Sequence, residues 1–384
     1  MDYDLIVAGA GAVGASLARA ARGLSVALVA HERRVPRPGS PPETFDARIY
    51  ALSPGNVAFL RSIDAWQAIP ASRLTPVHAM RIFGDDGASA IEFDAYRAGV
   101  PALAWIVEDA ALQDALWSML DAELFAPAQC EKLVFEHERA VLTLSDGRKL
   151  GAKLVVGADG AASFVRRQAG IAAAESDYGQ AAVVANFRCE KPHANVAYQW
   201  FQGGPVLALL PLPGNQVSMV WSLPSEEAGR VAGLEPGALC AHVEAASRYA
   251  LGALSLSGAA RSFALRRLAA RRLAGPRVAL AGDAAHVIHP LAGQGLNLGL
   301  QDARALAAVL AAREPGRDPG DARLLRRYER SRAEPILAMD AVVDGLFALF
   351  GARSMVVARA RNAGLNLADR FPVLKNVLVR RAMS

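Results

Sequence analysis

The chain has 384 residues, of which 53% are hydrophobic and 21% charged, a composition that excludes wholesale disorder and allows two domains or one large one. Net charge is +5 and the isoelectric point about 9.3, a mildly basic balance that fits an anionic cofactor, an anionic membrane surface or a nucleic acid without choosing among them. The three cysteines, Cys130, Cys189 and Cys240, are scattered and odd in number, so neither a disulfide framework nor a zinc site is expected and a reducing cytoplasm is the natural setting.

The first residues run directly into a strand pattern with no basic leader, so no signal peptide is expected. Residues 4–8 read as a short apolar strand, 9–14 as a tight glycine turn, 15–22 as an Ala-rich helix and 26–30 as a second apolar strand. Together they form a βαβ opening. Gly9, Gly11 and Gly14, with Val13 before the last, fit G-x-G-x-x-G. The first glycine permits the turn, the second lets the backbone approach a pyrophosphate, and the third lets the helix pack close to the strand. The helix N-terminus then faces the anion. A glycine-rich turn without a ligand is the plainer alternative. A ribose-binding acid belongs about 20 residues on, but Ala30 ends the strand and Glu32 follows two residues later. Either Glu32 reaches back, or the ribose is held otherwise and Glu32 is a solvated loop charge.

Residues 33–43 hold four prolines and a glycine and read as a loop. A helical period covers 106–124, with Leu112, Leu116 and Leu120 four apart. Residues 133–156 read as strand, turn, strand, with Ser145, Asp146 and Gly147 at the turn, and lead into Gly157, Asp159 and Gly160. From 180 to 223 short strands (196–201, 206–210, 217–221) alternate with Gly/Pro turns, an antiparallel pattern suited to walling a pocket. Trp200, Phe201 and Trp221 fall there, as core aromatics or as a substrate cage. Residues 277–281 read as a buried strand, and the chain is mainly helical from Leu300. No uncharged apolar run reaches about 18 residues, so no membrane span is expected. Residues 335–352, interrupted by Asp340 and Asp344, read as a buried or interfacial helix.

The segment after the 277–281 strand carries the most chemistry. Asp283 can accept hydrogen bonds from a ribityl chain. The loop Gly293-Gln294-Gly295 can bring backbone N–H groups onto a flavin edge, and the helix that follows can stabilise negative charge on a reduced ring. His286 and His289 lie three apart, but they precede Pro290 and no carboxylate completes a metal set, so a structural or flavin-adjacent role is expected and no metal.

The stretches 9–14, 157–166 and 282–302 together resemble the para-hydroxybenzoate hydroxylase class of flavoprotein monooxygenases, most specifically over 282–299. That resemblance implies an α/β fold: a Rossmann-like FAD-binding domain with an inserted antiparallel-sheet substrate domain and C-terminal helices. The expected division is cofactor domain at 1–70, 106–176 and 269–330, substrate domain at 71–105 and 177–268, and a helical region at 331–384. It further implies that Asp159-Gly160 lies near both FAD and NAD(P)H, and that Gly282-Asp283 binds the ribityl chain. Pro290, Gly293, Gln294, Gly295, Leu296 and Asn297 would form the flavin loop.

Further matches narrow the family. Phe45, Asp46, Arg48, Ala51, Leu52 and Ser53 fit the F-D-x-R-x-x-A-L-S segment of the ubiquinone-biosynthesis hydroxylases of the UbiH/VisC type. Residues 204–214 resemble their central sheet, and 364–383 are similar to their C-terminal tail. Arg48 becomes a candidate for the FAD phosphate or ribose, or else a surface charge. Gln113 is a candidate contact from a helix where the family more often shows Asn and Arg at Asp109 and Ala110. The implied chemistry is the cofactor's: NAD(P)H reduces the flavin, and O2 forms a C4a-hydroperoxide that transfers one oxygen to an electron-rich ring. No side chain is assigned as catalytic.

The expected substrate is a polyprenyl phenol of ubiquinone biosynthesis. A flavin monooxygenase of a soluble aromatic, and a non-catalytic FAD-binding scaffold, are the alternatives. The basic tail residues Arg370, Lys375, Arg380 and Arg381, interleaved with Leu and Val, suit a membrane surface or a biosynthetic complex, or a solvated amphipathic helix. The expected location is cytoplasmic, peripheral to the inner membrane. Nucleic acid is not expected, because the basic residues are scattered and no reading module is present.

Overall fold

The computed structural model describes residues 2–35, 45–86, 89–289 and 293–351. Pro290 and the basic tail lie outside them. Five parallel strands form the heart of the first sheet, in the order Val278–Leu280, Lys149–Gly157, Asp2–Ala8, Val26–Val29, Glu123–Phe125. Leu5, Ile6, Val7, Leu28, Val155, Val156, Ala279 and Leu280 are buried in an unbroken apolar layer, as befits parallel strands covered on both faces. The helices Ala12–Ala20 and Gly295–Ala311 pack on this sheet.

The register has a direct consequence. Ala8 pairs with Gly157, and Gly157 with Leu280. Three neighbouring parallel strands therefore end at one level, and the three chemistry-bearing stretches leave the sheet side by side. In open α/β sheets, ligands bind outside such carboxyl ends.

A second sheet of eight strands runs in the order His286–Val287, Leu254–Ala270, Ala173–Cys189, Gln216–Pro224, Val206–Leu212, Val196–Phe201, Ala79–Phe83, Ala90–Asp94. One face buries Phe187, Leu207, Leu209, Met219 and Trp221 against the helices Ser225–Ala232 and Pro236–Ala246. The other face turns toward the nucleotide domain. A small third sheet joins Ile49–Leu52, Ala104–Glu108 and Leu74–Val77.

Several elements differ from the sequence expectation. The helical period over 106–124 begins too early. Ala104–Glu108 is the central strand of the small sheet, with Ile106 and Val107 fully buried, and the helix is Asp109–Ser118. Residues 133–156 resolve into three strands, Cys130–Phe135, Ala140–Leu144 and Lys149–Gly157. The strands Ala173–Cys189 and Leu254–Ala270 each run for 17 residues. Their polar ends hide them from periodicity, and shifts of register near Asp177 and Val184 let them bend. The apolar segment from 335 belongs to a long helix, Ala322–Gly351, with Pro335 inside it. Leu337 and Val342 are exposed there, so that part of the helix is not buried.

Candidate active site

The glycines of the first stretch divide by function. At Gly9, φ is +101°, and an added Cβ would lie 2.2 Å from the Ala158 carbonyl oxygen. At Gly14 a Cβ would lie 1.9 Å from the Gly9 carbonyl oxygen. Both are demanded by packing of strand, turn and helix. Gly11 differs: a Cβ there would meet nothing within 4 Å, so the protein's own packing makes no demand for glycine. Glycine there leaves the backbone open to a group approaching from outside. Gly11 caps the helix Ala12–Ala20, which has no side-chain cap and no acidic residue in its first turn, so its N–H groups and positive end remain available to an anion.

The three stretches are locked together. Val13 packs against the third: a Cβ at Gly299 would lie 2.6 Å from its Cγ2, and one at Gly282 would lie 3.1 Å from the same atom, while Gly9 and Gly14 close on Ala158 of the second. Arg166, buried, donates to the Ala284 carbonyl at 2.9 Å and to the Ala161 carbonyl at 2.8 Å. Trp117 donates its indole N–H to the Ala10 carbonyl at 2.9 Å, which fixes the first turn against the helix Asp109–Ser118. Neither residue was singled out in the sequence, because each acts across a gap of about a hundred positions or, for Arg166, by linking two turns.

Behind the third stretch lies a buried ionic network. Asp302 is completely buried. Its carboxylate accepts from the Gly282 N–H at 2.9 Å, from His286 at 2.6 Å and from Arg332 at 2.6 Å. Arg332 comes from the long C-terminal helix and is itself buried. Burial alone would depress the His286 imidazolium, but the Asp302 carboxylate overrides it and its pKa stands above the ordinary 6.5. Asp302 is held below its ordinary range, since His286 and Arg332 outweigh its burial. In front of the network Asp283 is open to solvent, yet enough protein surrounds its carboxyl to raise its pKa, with His286 and Arg48 pulling it back. An accessible acid inside a walled cleft suits a ribityl chain. His289 is buried, within 3.1 Å of Gln180 Oε1, edge-on to Tyr178, and burial holds its pKa down at about 4. It is a neutral side chain of the cleft wall.

The other expected contacts fall out as follows. Gly160, Gly293 and Gly295 each face open space where a Cβ would stand, the condition a close-lying planar ring requires. Asn297 is buried and uses its side chain internally, accepting from the Ser53 N–H at 2.9 Å and donating to the Ala51 carbonyl at 2.8 Å. It ties the flavin loop to the segment after Arg48. Leu296 packs on the main core, and Gln294 precedes the helix Gly295–Ala311. Asp159 turns its carboxylate inward to Ser163 Oγ at 2.5 Å and the Val165 N–H at 3.1 Å, shaping the second loop. Gln113 donates to both oxygens of Asp109, at 2.7 and 2.8 Å, and Tyr50 donates to Asp109 at 3.1 Å. Arg48 lies over the Phe263 ring at 5.7 Å and is felt electrostatically by Asp283. Glu32 is exposed, past the end of Val26–Val29. Nearby, Arg34 pairs with Asp114 and donates to the Ala110 carbonyl.

Open glycines, an uncapped helix end and a walled acid at one strand edge fit a dinucleotide with a planar ring at one end. Fold and site thus define an FAD-binding flavoprotein. The family model described as "FAD binding domain" matches residues 2–342. The chain is 34% identical to ubiquinone hydroxylase UbiL of Rhodospirillum rubrum over 392 residues, covering 99% of this chain and 89% of that one. It is 33% identical to the 3-demethoxyubiquinol 3-hydroxylase of Escherichia coli, covering 99% and 98%. Among solved structures, PqsL of Pseudomonas aeruginosa, a probable FAD-dependent monooxygenase, superposes with a TM-score of 0.78 at 23% identity, covering 95% and 99%. HpxO of Klebsiella pneumoniae, solved with FAD and uric acid, superposes at 0.74 and 19%, covering 99% and 97%. These two share the fold. The chain belongs to the FAD-binding-domain family and, within it, to the FAD-dependent monooxygenases that include the ubiquinone hydroxylases.

Proposed function

We propose that this monooxygenase hydroxylates the ring of a polyprenyl phenol in ubiquinone biosynthesis, with NAD(P)H as reductant and O2 as the oxygen source. The observation that carries this reading is full-length similarity to two ubiquinone hydroxylases at a third identity, joined to a strand-end site that fits FAD. Bound FAD supplies the electron transfer and oxygen activation. The chain's own residues do the rest. Gly11 and the helix behind it receive the pyrophosphate, and Asp283 accepts from the ribityl hydroxyls. Gly293 and Gly295 let the backbone lie against the ring, with Asp159-Gly160 and Arg48 bordering the cleft. The inner face of the large sheet holds the substrate ring and excludes water, which would otherwise divert reduced flavin to peroxide.

A polyprenyl substrate partitions into membranes, so the enzyme is proposed to work at the cytoplasmic side of the inner membrane or within a complex. Among the described residues no helix is long and apolar enough to cross a bilayer. Exposed Leu337 and Val342 and the basic residues beyond 370 suit surface contact. Complementation of quinone-deficient strains tests the reading. The accumulated ring intermediate should gain one oxygen atom, read by mass. An unchanged intermediate in every hydroxylation-deficient strain sinks it, and NAD(P)H oxidation driven only by soluble phenols would redirect it to another substrate.

A further inference from the structure

The inner face of the large sheet is covered unevenly. Directly paired residues share a face, so the register defines cross-strand rows. One row is Phe201, Val206, Ser222, Ala182 and Phe263. Phe201 and Val206 pack with Ile288 and Leu298 of the flavin stretch, and Arg48 lies over Phe263. Another row is Leu210, Ser218 and Asn186. Asn186 donates to the Phe45 and Asp46 carbonyls, and Leu210 and Phe45 pack on one small buried cluster. Between them runs Ile82, Gln199, Ala208, Val220, Val184 and Arg261. Ile82, Gln199, Ala208 and Val220 are only half-buried.

Where its flanks are buried, at Val206, Ser222 and Ala182 on one side and at Ser218 and Asn186 on the other, this half-open row is a groove. The covered rows lie four residues apart along a strand, roughly 13 Å, which admits one aromatic ring. Ala208 and Val220 give it a low apolar floor. Gln199 is the row's one uncharged polar group, and among the described residues its amide has no hydrogen-bond partner. On the adjoining row the buried Asn186 Oδ1 and Ser218 Oγ also lack partners among the described residues. Arg261, at the far end, is four strand spacings from Gln199, roughly 19 Å, beyond the reach of one ring.

We propose that Gln199 is a specificity-determining residue, hydrogen-bonding the oxygen of a neutral phenol ring that lies over Ala208 and Val220. The proposal rests on the aromatic-hydroxylase reading above and deepens it. An amide both donates and accepts, so it serves the phenol and its hydroxylated product alike. It offers no charge to a ring carboxylate, whose burial without a cation is costly. The groove therefore favours neutral, alkyl-substituted phenols over hydroxybenzoates.

The holoenzyme's flavin absorbance, titrated with 2-prenylphenol and with 4-hydroxybenzoate, tests this. The wild type should bind 2-prenylphenol more tightly. Gln199→Leu keeps the bulk and removes the amide, and should weaken 2-prenylphenol by about five- to thirty-fold. Gln199→Arg should shift the preference toward 4-hydroxybenzoate. Ala208→Phe fills the floor and should abolish both titrations. FAD content, unchanged in each, reports folding. Wild-type affinity for 2-prenylphenol in Gln199→Leu, or in Ala208→Phe, overturns the proposal. So does a wild type that binds the two phenols equally or binds neither. Complementation reads the hydroxylase activity separately, so the two conclusions can fail independently.

Discussion

Replacing Asp302 by Ala removes the acceptor at the centre of the buried network. Three bonds go: from the Gly282 N–H, His286 and Arg332. His286 can shed its proton. Arg332 cannot, and it is left buried with only longer contacts to Gln301 at 3.2 Å and the Leu298 carbonyl at 3.4 Å. Breaking one side of a buried ion pair costs about 3–5 kcal/mol, whereas replacing both sides by apolar groups of similar volume is close to neutral. Against a typical stability of about 5–15 kcal/mol, the single change is severe. The double variant Asp302→Leu/Arg332→Met should recover most of the loss. Urea unfolding of the apoenzyme measures both, and FAD fluorescence quenching measures the accompanying loss of affinity as the Gly282 turn loosens. A single-variant loss below about 1 kcal/mol would refute the charge argument. A double variant no better than the single would refute it equally.

The same network has a pH signature. The His286 pKa is raised on folding, so its contribution is complete below the ordinary 6.5 and fades as pH rises through the raised value; His286→Gln should therefore cost more stability at pH 6 than at pH 9, and an equal cost at both would count against the imidazolium. Gly14→Ala forces a Cβ to within 1.9 Å of the Gly9 carbonyl oxygen and should cost about 1–3 kcal/mol or more in urea unfolding. Gly11→Ala, in open space, should cost less than about 1 kcal/mol in the apoenzyme while weakening FAD about tenfold or more, since the pyrophosphate needs that approach; unfolding and FAD titration run on both variants would expose any reversal of this pattern. Trp117→Phe removes one N–H bond to Ala10 and should lower stability by about 1 kcal/mol, with a tryptophan-fluorescence unfolding curve as the measurement.

Much of the nucleotide domain was legible locally. Leu5-Ile6-Val7 and Val155-Val156 are apolar runs that only a doubly covered strand explains, and Gly9, Gly11 and Gly14 state the turn between strand and helix outright. Local reasoning failed where one pattern ran into another. The leucine spacing from 112 extended a helix back over Ile106 and Val107, although burial on both sides makes them strand. Asp302 stood in view at the end of the third stretch, but nothing nearby in sequence announced Arg332 or the use the two make of each other.

The sequence by itself determined the strand–turn–helix units, the family resemblance and the residue types of the flavin stretches, because short-range sterics and apolar runs encode those directly. Tertiary structure alone decided which glycines serve packing and which face a ligand, since that depends on atoms such as Ala158 and Val13 from other turns. It alone coupled Asn297 to Ser53, 244 positions away, and set Gln199 in a groove whose existence depends on the register of neighbouring strands. Such contacts are chosen by the global burial of apolar surface, and no local window of the chain contains them.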